Sequence, residues 1–336
     1  ISPSFNDALN NKKYSRENVF KEFIGFFKLV AKSHKQFSLI VLPSFHQIHY
    51  ARNYGILELR KDLGIKQLLN EVNIEMINFF DGNDDIFILD HHNWILGEKS
   101  FSPRMWFSAK VPFHTEVFLA ATEDVKIILN ASLGLTKKLL ILDLDNTLLG
   151  GVVDDDGWQN LRLGGHDPIG EAFAEFQKVI SSLSKKGVIL ALCSKNTMTV
   201  VLEAISSHPE MILKIDDFSS MRINWEDKAL NIKSICNELN LSLDSVVFLD
   251  DNINERERVM SALPEVKVPE LPKDPRLYSS LLSSLSYFDS YLYTDEDRTR
   301  AELYKQRSTE KDYMPGIHDV KSVDEWLSTC LLYTSP

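Results

Sequence analysis

The chain has 336 residues, of which 44% are hydrophobic and 25% charged, the balance of an ordinary globular protein with room for two domains. Its 37 basic and 48 acidic residues leave a formal net charge of −11, which argues against non-specific binding to nucleic acid or to an anionic membrane surface. No apolar run reaches the ~20 residues of a membrane span, the start lacks the basic flank and apolar centre of a secretory signal, and three scattered cysteines, Cys193, Cys236 and Cys330, make no disulfide framework; a reducing cytoplasm is the expected setting.

The first residue is Ile1 rather than methionine, and the chain reads as a fragment; the closing LLYTSP suggests no role. Residues 15–34 carry apolar side chains at helical spacing. A buried strand is expected over 38–43, a largely helical stretch over 57–80 and a second strand over 85–90. The irregular, aromatic stretch 91–113 follows, then a helix over 115–133. These elements make a smaller N-terminal α/β domain, residues 1–135, possessing no serine-elbow or DxxH signature and expected to dock or scaffold. Its LDHHNW stretch, 89–94, is read as a satisfied polar cluster, with a metal site as the weaker alternative.

From Lys137 the alternation becomes regular. Strands are expected at 138–144, 187–193, 211–215, 244–249 and, more weakly, 265–268, with helices at 170–185, 197–207, 226–239 and 253–263. Strand and helix alternating in this way predict a parallel sheet covered on both faces, here a catalytic domain over 136–275. Ligands of such sheets sit at the carboxyl ends of the strands. A helical extension over 276–336 is expected to include a charged amphipathic helix at 294–308.

The polar residues gather at those strand ends. The run KKLLILDLDNTLLGG stops abruptly in Asp143 and Asp145. Burying one ionised carboxylate is costly and two neighbours repel, so a positive partner is expected between them. Ser194, Lys195 and Asn196 follow the second strand, Lys228 opens a later helix, and VVFLDDN ends in Asp250 and Asp251. Carboxylates from two strands form the oxygen site that Mg²⁺ prefers. An aspartate can then attack phosphorus, a second carboxylate can move the proton, and a hydroxyl with a lysine can hold the phosphoryl oxygens. Taken singly, each residue has an ordinary reading as loop, cap or surface charge; jointly, in this order, they point to phosphoryl chemistry.

The pattern Asp143-x-Asp145-x-Thr147, Ser194, Lys228 and Asp250-Asp251 resembles the haloacid dehalogenase superfamily of aspartate-nucleophile phosphotransferases. The resemblance implies a Rossmannoid parallel sheet with Asp143 as nucleophile and Asp145 as general acid/base. Ser194 and Lys228 would bind phosphate. Thr147, Lys195 and Asn196 are further candidates for substrate or phosphate contact, Asn196 alternatively capping a helix. Mg²⁺ would be held by Asp143, the Asp145 carbonyl and the acidic pair Asp250 and Asp251, with Asp251 the direct ligand. The stretches LDLDNTLLGGVVDDDG, GVILALCSKN, INWEDKALNI, VVFLDDNINERE and LPEVKVPELPKDP are similar to the FkbH-like branch, over roughly 137–308. Leu149 stands where that branch usually has Trp. The likeness implies an N-terminal domain of flavodoxin or SGNH type. It also implies an enzyme that takes the phosphoglyceryl group of 1,3-bisphosphoglycerate, removes its phosphate and loads glyceryl on an acyl carrier protein thiol in polyketide or related biosynthesis. A plain phosphatase of a sugar phosphate and a catalytically idle carrier-binding scaffold are the alternatives.

From Asp143 to Ser194 is 51 positions and from Ser194 to Lys228 is 34. Neither gap holds a large cap, and only a small flap over 150–165 is expected. Cys193, at the strand end beside Ser194, is the candidate acyl acceptor, its thiol activated by the metal or by Lys195; the alternative is a small buried hydrophobe. Arg162 and His166 in the flap region could contact a glycerate carboxylate or second phosphate, or be ordinary loop residues. Asn224 is expected to cap a helix, Cys236 to sit in the core, and ERER, 255–258, to form a solvated helix face.

Overall fold

A computed structural model describes residues 3–9, 14–46, 54–95, 100–165, 167–290, 299–300 and 303–304. The chain divides into two units after Leu129. Among the described residues no helix is long and apolar enough to cross a membrane.

The first unit opens with α1 (Pro3–Leu9) and α2 (Arg16–Ser33), followed by β1 (Ile40–Pro43), α3 (Ile65–Phe80), β2 (Ile86–Leu89), α4 (Pro103–Ala109) and α5 (Thr115–Ser132), the last crossing the division. β1 and β2 pair in parallel, Ile40 beside Ile86 and Pro43 beside Leu89. Val19, Phe23 and Phe27 of α2 pack with Leu68, Val72, Met76 and Phe80 of α3, the helical spacing that the sequence displays. α3 starts at Ile65, later than expected, because buried Glu58 acts at its N-terminus. The Glu58 carboxylate accepts from the backbone N–H of Ile65 at 3.0 Å, Lys66 at 3.4 Å and Tyr54 at 2.9 Å. Gly64 cannot be replaced there: a Cβ would stand 1.8 Å from the Glu58 carbonyl oxygen.

The second unit contains β3 (Leu139–Leu142), the one-turn α6 (Val153–Asp156), α7 (Pro168–Lys185), β4 (Ile189–Ser194), α8 (Met198–Ser207), β5 (Ser220–Ile223), α9 (Lys228–Leu239), β6 (Val246–Leu249), α10 (Ile253–Ala262) and α11 (Tyr278–Ser284). The four strands run parallel in the order β5-β4-β3-β6, so the expected α/β class with a Rossmannoid sheet is present. β3, β4 and β6 are buried throughout, which is why they read as unbroken apolar runs. One face packs Leu140, Leu142, Leu190 and Leu192 against α7, α8 and α11; the other packs Leu139, Ile141, Ala191 and Phe248 against α9 and α10.

Two strand expectations need correction. Residues 211–215 are not a strand: the N–H groups of Ile212 and Leu213 donate to the buried Gln177 amide oxygen at 3.0 and 3.1 Å instead of to a neighbouring strand. The edge position belongs to β5, whose Arg222 pairs with Glu238 at 2.6 Å. Residues 265–268 contribute a single bridge, Lys267 beside Val247.

The connection from β3 to α7 includes a small flap closed by a Gly150–Arg162 bridge. Tyr278 of α11 packs edge-on against Phe173 and Phe176 of α7, with ring centres 6.0 and 5.5 Å apart. The 294–308 helix expectation lies mostly outside the described residues.

Candidate active site

β3 delivers Asp143 to the carboxyl edge of the sheet and β6 delivers Asp250 beside it; the Asp143 N–H donates to the Leu249 carbonyl at 2.9 Å. Both side chains are buried, Asp143 at 5% and Asp250 at 0% exposure. Between them lies the ammonium of Lys228, 2.7 Å from Asp143 Oδ1 and 2.6 Å from Asp250 Oδ2. Lys228 is held there because Asp227 caps α9, accepting from Ala229 N–H at 2.8 Å and Leu230 N–H at 3.2 Å. Asp227, not Asn224, is therefore the cap; Asn224 exchanges side-chain hydrogen bonds with Asn231.

Carboxylate oxygens of Asp143, Asp250 and Asp251 lie within 4.8 Å of one another. Burial pushes the carboxyls of Asp143, Asp145 and Asp251 above the usual range. The same burial, with the Asp143 charge beside it, raises Asp250 to about 6. The Lys228 ammonium opposes these shifts, and its own pKa is raised by the Asp143 and Asp250 charges despite its burial. Three carboxylates face one ammonium, an excess of negative charge that a divalent cation offsets, and an all-oxygen donor set suits Mg²⁺.

Asp145 sits nearer solvent. It accepts from Val153 N–H at 3.0 Å and from the Asn196 amide at 2.9 Å. The Asn196 amide also reaches Ser194 Oγ at 3.0 Å, while the Asn196 carbonyl oxygen is buried without a partner among the described residues. The buried Ser194 hydroxyl lowers the pKa of the neighbouring Asp143 carboxyl, against the larger effect of burial. Buried Thr147 accepts from Asp251 N–H at 3.2 Å, joining the β3 loop to the acidic pair. Asn146, in left-handed conformation at φ 51°, has its carbonyl held by the Tyr278 hydroxyl at 3.2 Å and its side chain by Gly151 N–H at 3.0 Å. These contacts turn the loop so that Asp143 and Asp145 share one edge.

Several expected residues are placed differently. Lys195 pairs with Glu255 at 2.6 Å. Arg162 forms a two-pronged pair with Asp167, at 2.6 and 2.8 Å, and Asp167 in turn caps α7. His166 lies outside the described residues. Cys193 does not meet the conditions expected of an activated thiol. Strand alternation turns it away from Ser194 into the cluster of Ala191, Ala229 and Ile232, it is fully buried, and burial pushes its thiol up to about 12.

The ERER stretch is the main omission of the sequence reading. Arg256 is buried, and its guanidinium donates to the carbonyls of Asp250 at 2.9 Å and Asp251 at 2.7 Å. Glu255 neutralises Lys195, and Arg258 pairs with Asp227 at 2.7 Å. Only the six-residue separation of Arg256 from Asp250 hints at this brace.

No family model and no curated protein matches the chain. Among solved structures, the N-terminal part of the protein BF1531 from Bacteroides fragilis, which contains a phosphatase domain and is complexed with Mg, is 32% identical. The match covers 83% of this chain and 74% of that one, with a TM-score of 0.74. The chain belongs to the haloacid dehalogenase superfamily. Other superfamily structures are more remote. The 3-deoxy-D-manno-octulosonate 8-phosphate phosphatase of Moraxella catarrhalis, solved with magnesium, phosphate and KDO, is 15% identical over 56% of this chain and 95% of its own, at a TM-score of 0.28. A haloacid dehalogenase family enzyme from Bacteroides thetaiotaomicron is 13% identical over 43% of this chain and 98% of its own, at 0.31. Asp143, Asp145, Ser194, Asp250 and Asp251 lie at the carboxyl edge of the sheet, and Lys228 reaches them from the start of α9.

Proposed function

We propose that the chain is a Mg²⁺-dependent phosphatase that passes the phosphoryl group through Asp143. The observation that carries this reading is the convergence of Asp143, Asp250 and Asp251 on one point with Lys228 at its centre. Bound at those carboxylates, Mg²⁺ supplies the positive charge that draws a phosphate in and offsets its oxygens. An oxygen of Asp143 attacks phosphorus, and the bond to the leaving oxygen breaks as Asp145 gives that oxygen a proton. Asp145 then takes a proton from water, which attacks the phosphoryl group and frees Asp143. The raised pKa of Asp145, caused by burial, suits a carboxyl that must hold a proton before turnover. Ser194 and Lys228 hold phosphoryl oxygens, and Asn196 and Val153 N–H keep Asp145 oriented.

The finer reading is that an acyl carrier protein thiol attacks the acyl carbon of 1,3-bisphosphoglycerate, with the acyl phosphate as leaving group, and that the remaining 3-phosphate is removed through Asp143, so that glyceryl ends on the carrier. It is supported by the FkbH-like sequence stretches and by the small flap, which leaves room for a long carrier arm. With Cys193 sealed in the core, the carrier's own thiol is the acceptor in this reading. The test is to incubate the full chain with Mg²⁺ and 1,3-bisphosphoglycerate, with and without a phosphopantetheinylated carrier, measuring inorganic phosphate and carrier mass. Wild type is expected to release both phosphates and to leave a glyceryl adduct on the carrier, whereas Asp143→Asn should release only the acyl phosphate and leave a phosphoglyceryl adduct. Loss of the 3-phosphate without an adduct leaves the phosphatase alone; loss of the 3-phosphate that survives Asp143→Asn overturns both.

A further inference from the structure

Outside the aspartate site, the imidazoles of His46, His91 and His92 gather in the first unit. His46 lies three residues beyond β1, and His91 and His92 follow directly after β2 and Asp90. The cluster thus stands at the carboxyl ends of two parallel strands, where sheets of this kind bind ligands. Ring centres are 4.4 Å apart for His46 and His91, 5.0 Å for His46 and His92, and 4.3 Å for His91 and His92.

We propose that His46, His91 and His92 hold a divalent metal ion of the zinc class, separate from the Mg²⁺ of the phosphatase site. One ligand nitrogen from each histidine lies within 4.8 Å of the others, a spread that side-chain rotation closes onto zinc–nitrogen distances of about 2.0–2.1 Å. Imidazole nitrogens select zinc and its neighbours over Mg²⁺, which prefers oxygen.

The surroundings orient these rings as metal ligands are oriented. The Asp90 carboxylate stands 2.9 Å from His92 Nδ1. It can only accept there, so the proton is on Nδ1 and the Nε2 lone pair is left for a ligand. Ser44 Oγ lies 2.6 Å from His91 Nδ1 and also accepts the His91 backbone N–H at 3.2 Å. His91 is 4% exposed, and its Nε2 is buried without a hydrogen-bond partner among the described residues. A satisfied polar cluster, the sequence expectation for LDHHNW, would not leave that atom bare; a metal completes it. Three protein ligands leave one coordination position for water or a substrate.

The test uses the full chain, stripped with a chelator and kept in millimolar Mg²⁺. Zinc is titrated in competition with a chromophoric chelator, and Co²⁺ is added separately to follow its visible absorption. One zinc per chain and a tetrahedral Co²⁺ spectrum are expected. His91→Ala and His92→Gln should each lose that equivalent. The His92 side chain is 57% exposed, so His92→Gln keeps the fold, which circular dichroism verifies. Asp143→Asn should retain the zinc. No stoichiometric zinc, zinc retained in both histidine variants, or zinc lost in Asp143→Asn would each overturn the proposal.

Discussion

Lys228 places its ammonium 2.7 Å from Asp143 Oδ1 across 85 positions of sequence, so the first turn of α9 and the end of β3 meet at one buried charge pair. Asp250 shares the same ammonium. Removing one partner of such a pair leaves uncompensated buried charge, at a cost of about 3–5 kcal/mol. Lys228→Met should therefore lower the thermal unfolding midpoint by many degrees in metal-free buffer. Added Mg²⁺ should recover part of the loss, because the cation neutralises the same carboxylates. Calorimetry with and without Mg²⁺ measures both effects; an unchanged midpoint would contradict the pairing.

The same carboxylates set a pH dependence of definite sign. The folded pKa of Asp250 is raised from 3.8 to about 6, first by burial and then by Asp143. Below pH 4 folded and unfolded chains both carry that proton. Between about 4 and 6 the folded chain keeps it and the unfolded chain has lost it, so stability falls as pH rises through this window. Asp167, lowered to about 2 by Arg162, acts oppositely in a lower window, its contribution fading as pH drops from 3.8 towards 2. Metal-free Asp250→Asn should show a shallower decline between pH 4 and 6 than the wild type in denaturant titrations, the remainder coming from the other raised carboxyls of the site. Parallel curves for the two proteins would refute the assignment.

Asp145 accepts two hydrogen bonds that fix its carboxylate, and the acid–base role proposed for it needs a proton to move. Asp145→Asn keeps the shape and removes the titration. Its kcat for phosphate release should fall about 10²–10⁴-fold, the usual worth of general acid–base catalysis. Burst kinetics under rapid quench provide the check, since Asp143 can still be phosphorylated by a substrate with a good leaving group.

The sequence exposes Asp143 and Asp250 because each ends an unbroken apolar run, and a buried parallel strand has no other reason to stop in a carboxylate. Lys228 is legible only in combination, because a lone lysine at a helix start reads as a surface charge. The edge strand is missed for a physical reason. Met211 and Leu213 are buried and look like strand residues, yet Gln177 takes their segment's N–H groups, whereas β5 carries Arg222 and lacks an apolar run. Arg256 is hidden by its neighbours: charges adjacent in sequence on a helix look like a solvated face, and one of them turns inward to carbonyls that no pattern reveals. Cys193 misleads because position along a strand does not report which face a side chain takes until the register is known.

Arg256 gives a sharper test of how the acidic pair is held. Its guanidinium binds the carbonyls of both Asp250 and Asp251 while the pair's carboxylates face the cation site. Arg256→Met keeps the aliphatic length and strands two carbonyls, at about 2–3 kcal/mol for a buried hydrogen-bonded charge. The effect should exceed stability. Without the brace the Asp250–Asp251 peptide is free to turn, so Mg²⁺ affinity should weaken while Lys228 and Asp143 stay in place. Isothermal titration with Mg²⁺ at a temperature where the variant is folded separates the two effects. Weaker Mg²⁺ binding with a raised Mg²⁺ requirement for phosphate release is expected. A variant that melts earlier but binds Mg²⁺ as the wild type does would make Arg256 a part of the core alone.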